Sequence, residues 1–188
     1  PIEIEGAFIR CTDVQCSARL GRSILYYCRV LEMDGIGEKL VEQLIDEGRI
    51  SSIPDLYRLD EQMLLSLDRM GQKSADNVLK EVQKSRSMTF SKFLGALGLP
   101  GIGPELASAI SNHFKQPENL MQWVEESHGE TSRISELTSI DGVGEIVALQ
   151  LRDGIHLRRE FIHDLLTQLT ITEEVKVADG GPFDGMTF

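Results

Sequence analysis

The sequence predicts an all-α protein built from four copies of one unit, in which two helices are joined by a short turn that ends in glycine. Aligned on this closing glycine, the copies fall at Gly37, Gly71, Gly103 and Gly144, with offsets of 34, 32 and 41 residues. An internal period of this length is typical of a supersecondary unit that is used repeatedly. Apolar residues also recur four and seven positions after each closing glycine, which places them on one buried face of the following helix. These pairs are Val41 and Leu44, Ala75 and Val78, Ala107 and Ile110, and Ala148 and Leu151.

Apolar periodicity and capping residues predict the individual elements along the chain. The expected helices cover residues 23–31, 38–47, 53–57, 61–67, 72–86, 88–97, 104–114, 117–126, 145–152 and 155–169. Asp60 is the expected N-cap of the helix at 61–67, and Cys28 and Trp123 are expected in the core. The acidic, glycine-rich segment after Thr170 lacks helical periodicity, which indicates a linker.

Composition and charge narrow the class of protein. No apolar run approaches the ~20 residues that a membrane span needs. Three cysteines are too few for a secreted disulfide framework, which favours a reducing, cytoplasmic setting. The net charge of −11 argues at first against nucleic acid, but the charge is unevenly spread. Residues 31–68 carry three basic and ten acidic groups, net −7, whereas residues 69–92 carry six basic and two acidic groups, net +4. The basic block therefore begins at the second turn.

A turn that ends in glycine and opens a helix is suited to binding phosphate. Glycine tolerates positive φ, so the turn can direct N–H groups outward, and the free amides and dipole of the helix N-terminus favour an anion there. Such a site contacts phosphate without reading base identity. The alternatives are glycines that only close tight turns and helical repeats that bind only protein. Four copies at near-constant spacing favour phosphate sites.

The four turns differ in charge. Two residues after the closing glycines stand, in chain order, Lys39, Lys73, Glu105 and Ile146. Because lysine attracts phosphate and glutamate repels it, the first two turns are expected to bind phosphate better than the last two. In the second turn Arg69 replaces the first glycine and adds a charge. Lys73, Asn77, Lys80 and Lys84 share one face of the helix at 72–86. A lysine row is usually only a solvated face, but this one starts at a phosphate-site turn and indicates a surface that follows a nucleic-acid backbone.

The cysteines and histidines give weaker signals. Cys11 and Cys16 are close enough to share a metal ion, but a structural zinc site needs four ligands. Either this pair is half of a zinc finger whose other half lies upstream of residue 1, or these are ordinary thiols. His156 and His163 fall on one face of the last helix without a further ligand, which indicates surface or core histidines.

The turns resemble helix-hairpin-helix motifs, which bind DNA without sequence specificity in many repair proteins. Residues 10–16 (RCTDVQC) and 33–44 (MDGIGEKLVEQL) are similar to the junction between zinc finger and hairpins in bacterial-type NAD-dependent DNA ligases. Residues 69–78 (RMGQKSADNV) and 89–98 (TFSKFLGALG) continue this resemblance. Residues 182–188 (PFDGMTF) resemble the first strand of the BRCT domain of those ligases, so the likeness covers essentially the whole chain.

The resemblance implies a division of the chain and a role. Residues 1–30 would hold a zinc-finger remnant and a lead-in helix, residues 31–170 a helix-hairpin-helix domain, and residues 171–188 a linker with the start of a truncated BRCT domain. Four motifs packed as two pairs would grip the minor-groove side of nicked double-stranded DNA, together with other domains of the same ligase and with no membrane partner.

The family's chemistry lies outside this chain. In the family, NAD donates AMP to a lysine during nick sealing in DNA replication and repair, and the resemblance implies Mg and Zn as further cofactors of the parent enzyme. None of the seven lysines here matches that lysine, so we expect the chain alone to have no catalytic residue and no cofactor. Cys11 and Cys16 would be two of four zinc ligands, with the other two missing.

The residues expected to contact DNA belong to the turns and the lysine face. They are Gly35, Gly37, Lys39, Arg69, Gly71, Lys73, Ser74, Lys80, Lys84, Gly101, Gly103, Gly142 and Gly144. Two alternatives stay open. One is a helix-hairpin-helix domain of another repair protein, such as an excision-nuclease subunit or a branch-migration protein, although the cysteine pair and residues 182–185 count against it. The other is a protein-interaction scaffold that binds no DNA.

Overall fold

A computed structural model of the protein describes residues 2–5, 8–11, 17–127 and 133–173. Helices dominate these ranges, which confirms the all-α prediction. The helices are α1 Ser17–Val30, α2 Glu38–Asp46, α3 Glu61–Leu65, α4 Gln72–Lys84, α5 Phe90–Ala96, α6 Pro104–Phe114, α7 Pro117–Ser127, α8 Ile134–Thr138, α9 Glu145–Leu157 and α10 Arg159–Thr167. A 3₁₀ helix, Ile53–Arg58, lies between α2 and α3. The expected N-cap is confirmed, since the Asp60 carboxylate accepts a hydrogen bond of 2.7 Å from the amide of Met63.

Each predicted turn joins two helices, so the sequence copies form four repeats: α1–α2, α3–α4, α5–α6 and α8–α9, numbered 1 to 4 below. Two residues before each closing glycine, at what we call the bend position, the backbone takes a positive φ. This angle is 83° at Gly35, 60° at Arg69, 74° at Gly101 and 79° at Gly142. The four turns therefore share one feature of backbone conformation, including the copy that has arginine at this position.

The bend positions also show how the repeats pack. A Cβ added at Gly35 would lie 2.8 Å from Nδ2 of Asn77, so the turn of repeat 1 rests on α4 of repeat 2. A Cβ at Gly101 would lie 3.0 Å from Oε1 of Gln150 on α9, and one at Gly142 would lie 3.0 Å from Cδ2 of Leu106 on α6. Repeats 3 and 4 thus contact each other reciprocally. These contacts support the predicted packing as two pairs, repeat 1 with 2 and repeat 3 with 4.

The helical face predicted to be buried forms the core. All eight residues four and seven positions after the closing glycines are at most 2% exposed. Cys28 and Trp123 are buried as expected, and Nε1 of Trp123 donates a hydrogen bond of 2.6 Å to the Glu136 carboxylate. The hydroxyls of Tyr27 and Tyr57 lie 2.7 Å apart in a buried hydrogen bond that connects α1 to the 3₁₀ helix.

Four short strands accompany the helices within the described ranges. In the first sheet, β1 Ile2–Glu5 pairs with β2 Phe8–Cys11 in antiparallel orientation. In the second, β3 Ser87–Thr89 pairs in parallel with β4 Thr170–Thr172. Two expectations differ here, since the helix predicted from residue 88 begins at Phe90 and the segment read as a linker begins with β4. The Thr89 hydroxyl caps α5 by accepting from the amide of Lys92 at 3.3 Å, which starts that helix later.

The predicted break between the last two helices is wrong. α9 runs unbroken through Gly154 to Leu157, and the chain bends at Arg158 instead. A Cβ at Gly154 would lie 2.9 Å from Cδ2 of Leu99, so this glycine allows close packing against the segment before the third turn. A glycine that relieves packing and one that ends a helix look alike in sequence. The lead-in helix also starts earlier than predicted, at Ser17.

Candidate nucleic-acid interface

Every residue predicted to contact DNA is exposed in the structure. The turns put their glycines on the surface, while the apolar residue between bend position and closing glycine points inward at Ile36, Ile102 and Val143, which are 7%, 5% and 4% exposed. That buried residue anchors the turn, because it ties an exposed stretch of backbone to the core. The glycine main chain is therefore accessible and held in place.

The closing glycines are the N-caps of α2, α4, α6 and α9. Their φ values are −99°, −96°, −84° and −80° in chain order, all in the extended region with ψ near 180°. None of the four helices has a side-chain hydrogen bond at its cap. In α4 the amide of Ser74 donates to the carbonyl of Gly71 at 3.0 Å. The earlier amides of these helices are left to water or to a ligand, and an anion is favoured there.

The fold itself does not require glycine at these four caps. A Cβ added at any of the closing glycines would meet no atom within 4 Å, and the backbone angles are open to all residues. Serine or aspartate would cap these helices better than glycine does. The expectation that glycine supplies positive φ therefore applies to the bend position only. At the closing position glycine keeps the backbone clear for something that approaches from outside.

Charge singles out repeat 2. The first turn of α4 contains no acidic residue, whereas those of the other three repeats' second helices contain Glu38, Glu105 and Glu145. Lys73 and Lys80 form no ion pair within the described part of the chain. Arg69 does form one, with 3.5 Å between its Nε and Oδ2 of Asp68, but its side chain is 92% exposed, so the pair neutralises little of its charge. The positive charge of this repeat is therefore free to meet an anion. Lys84 is in part neutralised by Glu81, at 3.4 Å.

Sequence reasoning missed how the bend positions are supported. Asn77, which was placed on the lysine face, packs against Gly35, and Gln150 packs against Gly101 in the other pair. Both amides stand six residues after a closing glycine, at Gly71 and Gly144. Aligning the repeats beyond their apolar positions would have revealed this shared amide. In each pair it links the turn of one repeat to the helix of the other.

The predicted metal site is untested by the structure. Cys11 ends β2, and Cys16 lies outside the described residues, as do residues 182–188. Within the ranges that are described, no group of three or more His, Cys, Asp or Glu side chains could hold a metal ion. Burial raises the pKa of the Cys28 thiol to about 12, as expected for a core cysteine and unlike a metal ligand.

Four glycine turns that open uncapped helices, packed as two pairs, define a protein of the helix-hairpin-helix class. Residues 29–84 and 93–156 match the family model of SAM-like helix-hairpin-helix tandems, and the chain belongs to this family. The first match covers the turn and second helix of repeat 1 together with repeat 2, and the second covers nearly all of repeats 3 and 4, so each match falls on one packed pair. Among the described residues, no helix is long and apolar enough to cross a membrane.

Several bacterial proteins named DNA ligase are similar to this chain. The one from Methylacidiphilum infernorum is 32% identical over 191 residues, which cover 98% of this chain and 26% of the relative. That of Coprothermobacter proteolyticus is 32% identical over 193 residues, covering 100% of this chain and 27% of the relative. That of Myxococcus xanthus is 34% identical over 185 residues, which cover 96% of this chain and 26% of the relative. The chain therefore spans about a quarter of the length of these relatives.

Proposed function

We propose that this chain binds double-stranded DNA through the phosphate backbone, independently of sequence, as the DNA-gripping part of an NAD-dependent DNA ligase. The observation that carries the proposal is the set of closing glycines, which the fold does not need and whose backbone is exposed at helix N-termini. A phosphate oxygen in contact with these amides would collide with a Cβ. The helix dipole favours its charge, and Lys73 and Arg69 add to the attraction in repeat 2.

The pairing of repeats suggests how two strands are held. Asn77 contacts the turn of repeat 1 and stands six residues beyond Gly71, which at 1.5 Å per residue is about 9 Å along α4. Gln150 and Gly144 repeat this arrangement in the second pair. Two turns held side by side in this way would contact phosphates on opposite sides of a minor groove.

The rest of the ligase reaction belongs to the parent protein. The relatives named DNA ligase are about four times longer than the stretch they share with this chain, which leaves room for the adenylation lysine, NAD and Mg elsewhere. Cys11 and Cys16 would supply two of the four ligands of a zinc ion. Because the chain carries −11, long-range repulsion opposes its local contacts, and the other domains of the cytoplasmic enzyme would share the grip on nicked DNA.

A salt titration tests DNA binding by the chain. Fluorescence anisotropy with nicked duplexes of unrelated sequence should give equal affinities. Contact with about four phosphates gives a logarithmic salt slope of about −3.6, so affinity should fall about 150-fold between about 50 and 200 mM salt. Lys73→Glu should flatten the slope by about 1. Lys115→Glu, the same charge change at an exposed lysine at the other end of α6 from its turn, should not. A flat response would favour the protein-interaction scaffold.

The same pair of variants tests the ligase role in the parent enzyme. Lys73→Glu should leave self-adenylation with NAD unchanged, because the nucleotide pocket is elsewhere, and should slow the joining of nicks. Lys115→Glu should leave both steps unchanged. Loss of self-adenylation in Lys73→Glu would contradict a role confined to DNA binding.

A further inference from the structure

A second basic site lies away from the DNA-contact residues. A cavity of about 940 Å³ opens between α1, the residues that follow α2, the end of α5 and the junction of α9 and α10. Three arginines from distant parts of the sequence, Arg19, Arg22 and Arg158, line it. None of the residues predicted to contact DNA is among its lining residues.

Arg158 is the central group of this cavity. Its Nη1 is buried and has no hydrogen-bond partner among the described residues. Burial, reinforced by the charge of Arg19, lowers the pKa of the Arg158 guanidinium. Neither Arg158 nor Arg22 forms an ion pair within residues 17–127 and 133–173. A half-buried cation beside a like charge is unfavourable unless an anion compensates it.

The carboxylate beside the cavity does not serve as that anion. Oδ2 of Asp55 accepts hydrogen bonds of 2.9 Å from the hydroxyls of Ser51 and Ser52, which line the cavity, and Oδ1 accepts one of 2.8 Å from Arg58. Its charge is thus already compensated. Within the described chain, Nη1 of Arg158 is therefore left for a ligand.

The walls of the cavity indicate the rest of the ligand. Apolar side chains of Ile53, Leu97 and Phe161 line it together with the ring of Tyr26. A volume of this size lies in the range of small-molecule sites, and mixed apolar walls with few charged groups are typical of them. The ligand therefore combines an anion with an apolar or planar body. Because the charges of Arg158 and Arg19 act on each other in this cavity, a phosphate dianion fits better than a carboxylate.

We propose that this cavity binds a nucleoside phosphate, with the phosphate held by Arg158 and Arg19 and the base against the apolar wall. Two sources share this chemistry: a free nucleotide, and a terminal or unpaired nucleotide of a nucleic-acid strand. Arg22 stands exposed on α1 and draws the anion toward the opening.

Calorimetric titration of the 188-residue chain with ADP, adenosine and inorganic phosphate tests the proposal. ADP should bind at least about tenfold more tightly than adenosine, because the charge-assisted hydrogen bonds go to phosphate. Arg158→Gln should weaken ADP binding by about tenfold or more. Arg159→Gln, the same charge change at the neighbouring exposed arginine, should change it by less than about twofold. ADP binding that is undetectable at millimolar concentration, no stronger than that of adenosine, or equally weakened by both substitutions would overturn the proposal.

Thermal unfolding shows whether Arg158 is instead a structural residue. Without ligand, Arg158→Gln should melt at or above the wild-type temperature, since it removes a half-buried charge whose Nη1 has no hydrogen-bond partner among the described residues. A lower melting temperature with unchanged ADP affinity would mean that Arg158 is satisfied within the fold, against the proposal.

Competition separates the two sources of the nucleotide. If the cavity takes a nucleotide of a DNA strand, ADP and Arg158→Gln should each weaken binding of nicked duplex; if it takes a free nucleotide, neither should. Either result supports the site. Lys73→Glu should leave ADP affinity unchanged, so failure of the proposed DNA binding and failure of this cavity site can be told apart.

Discussion

Replacement of Arg69 by glycine is expected to stabilise the fold and, at the same time, to weaken DNA binding. Arg69 holds the bend position of repeat 2 at φ 60°, where the other repeats have glycine. A left-handed conformation costs a residue with a side chain about 1–2 kcal/mol. Replacement by glycine removes that cost but adds about 0.5–1 kcal/mol of chain entropy in the unfolded state. The ion pair with Asp68 contributes little, because both side chains are more than 80% exposed, at 92% and 84%.

Arg69→Gly should therefore raise the free energy of unfolding by about 0.5–1 kcal/mol, or the melting temperature by about 2 °C for a chain of this size. The same substitution removes one phosphate contact, so it should weaken binding of nicked duplex about fivefold and flatten the salt slope by about 1. Urea denaturation and anisotropy measure the two effects on the same protein.

Arg69→Gln separates strain from charge. It keeps the left-handed residue and removes the charge, so it should lose DNA affinity as Arg69→Gly does without gaining stability. The reasoning is refuted if Arg69→Gly melts below the wild type, or if it binds DNA as tightly. In the first case the left-handed conformation is not strained, and in the second Arg69 makes no phosphate contact.

Three further substitutions test the roles assigned to single residues. Gly71→Ser should leave stability unchanged or raise it by a few tenths of a kcal/mol, because serine caps α4. It should nevertheless weaken DNA binding about tenfold, because the added side chain blocks the approach of phosphate. Equal binding would show that the closing glycine is not at the interface. Gly35→Ala should lower the free energy of unfolding by about 1–2 kcal/mol, because of φ 83° and the 2.8 Å approach to Asn77, and urea denaturation measures it. Burial raises the pKa of Cys28 to about 12, so the unfolded chain loses this proton first, from about pH 8.5. Stability should consequently fall as pH rises from there toward 12, and Cys28→Ala should lack this part of the loss.

The repeats could be predicted from sequence because their signals are local. The closing glycines, the apolar positions at four and seven residues and the N-cap Asp60 all act within one or two turns of helix, and the structure has them where expected. The pairing of β3 with β4 joins residues more than 80 positions apart, Ser87 with Thr170, through three-residue strands too short for a period to appear. Such pairing depends on the whole fold, so the sequence could not show it.

The candidate sites divide in the same way. The turn residues could be named in advance because each turn carries its own glycines and charges. The arginine cavity could not, since Arg19, Arg22 and Arg158 come from distant parts of the sequence and line one cavity only in the folded chain. The role of Gly154 could not be predicted either, because it depends on contact with Leu99, a residue far from it in the sequence.

The bend position and the closing position of each turn have different roles, and mutations can test these two roles separately. At the bend position, positive φ favours glycine, and only Arg69 departs from it. At the closing position the angles are ordinary and the space is empty, so glycine there serves whatever lies outside the chain. Substitutions of the bend glycines should act on stability and those of the closing glycines on binding, whereas substitutions of Arg69 should affect both. A helical repeat that bound only protein through its helices would have no reason to keep the second glycine in all four copies.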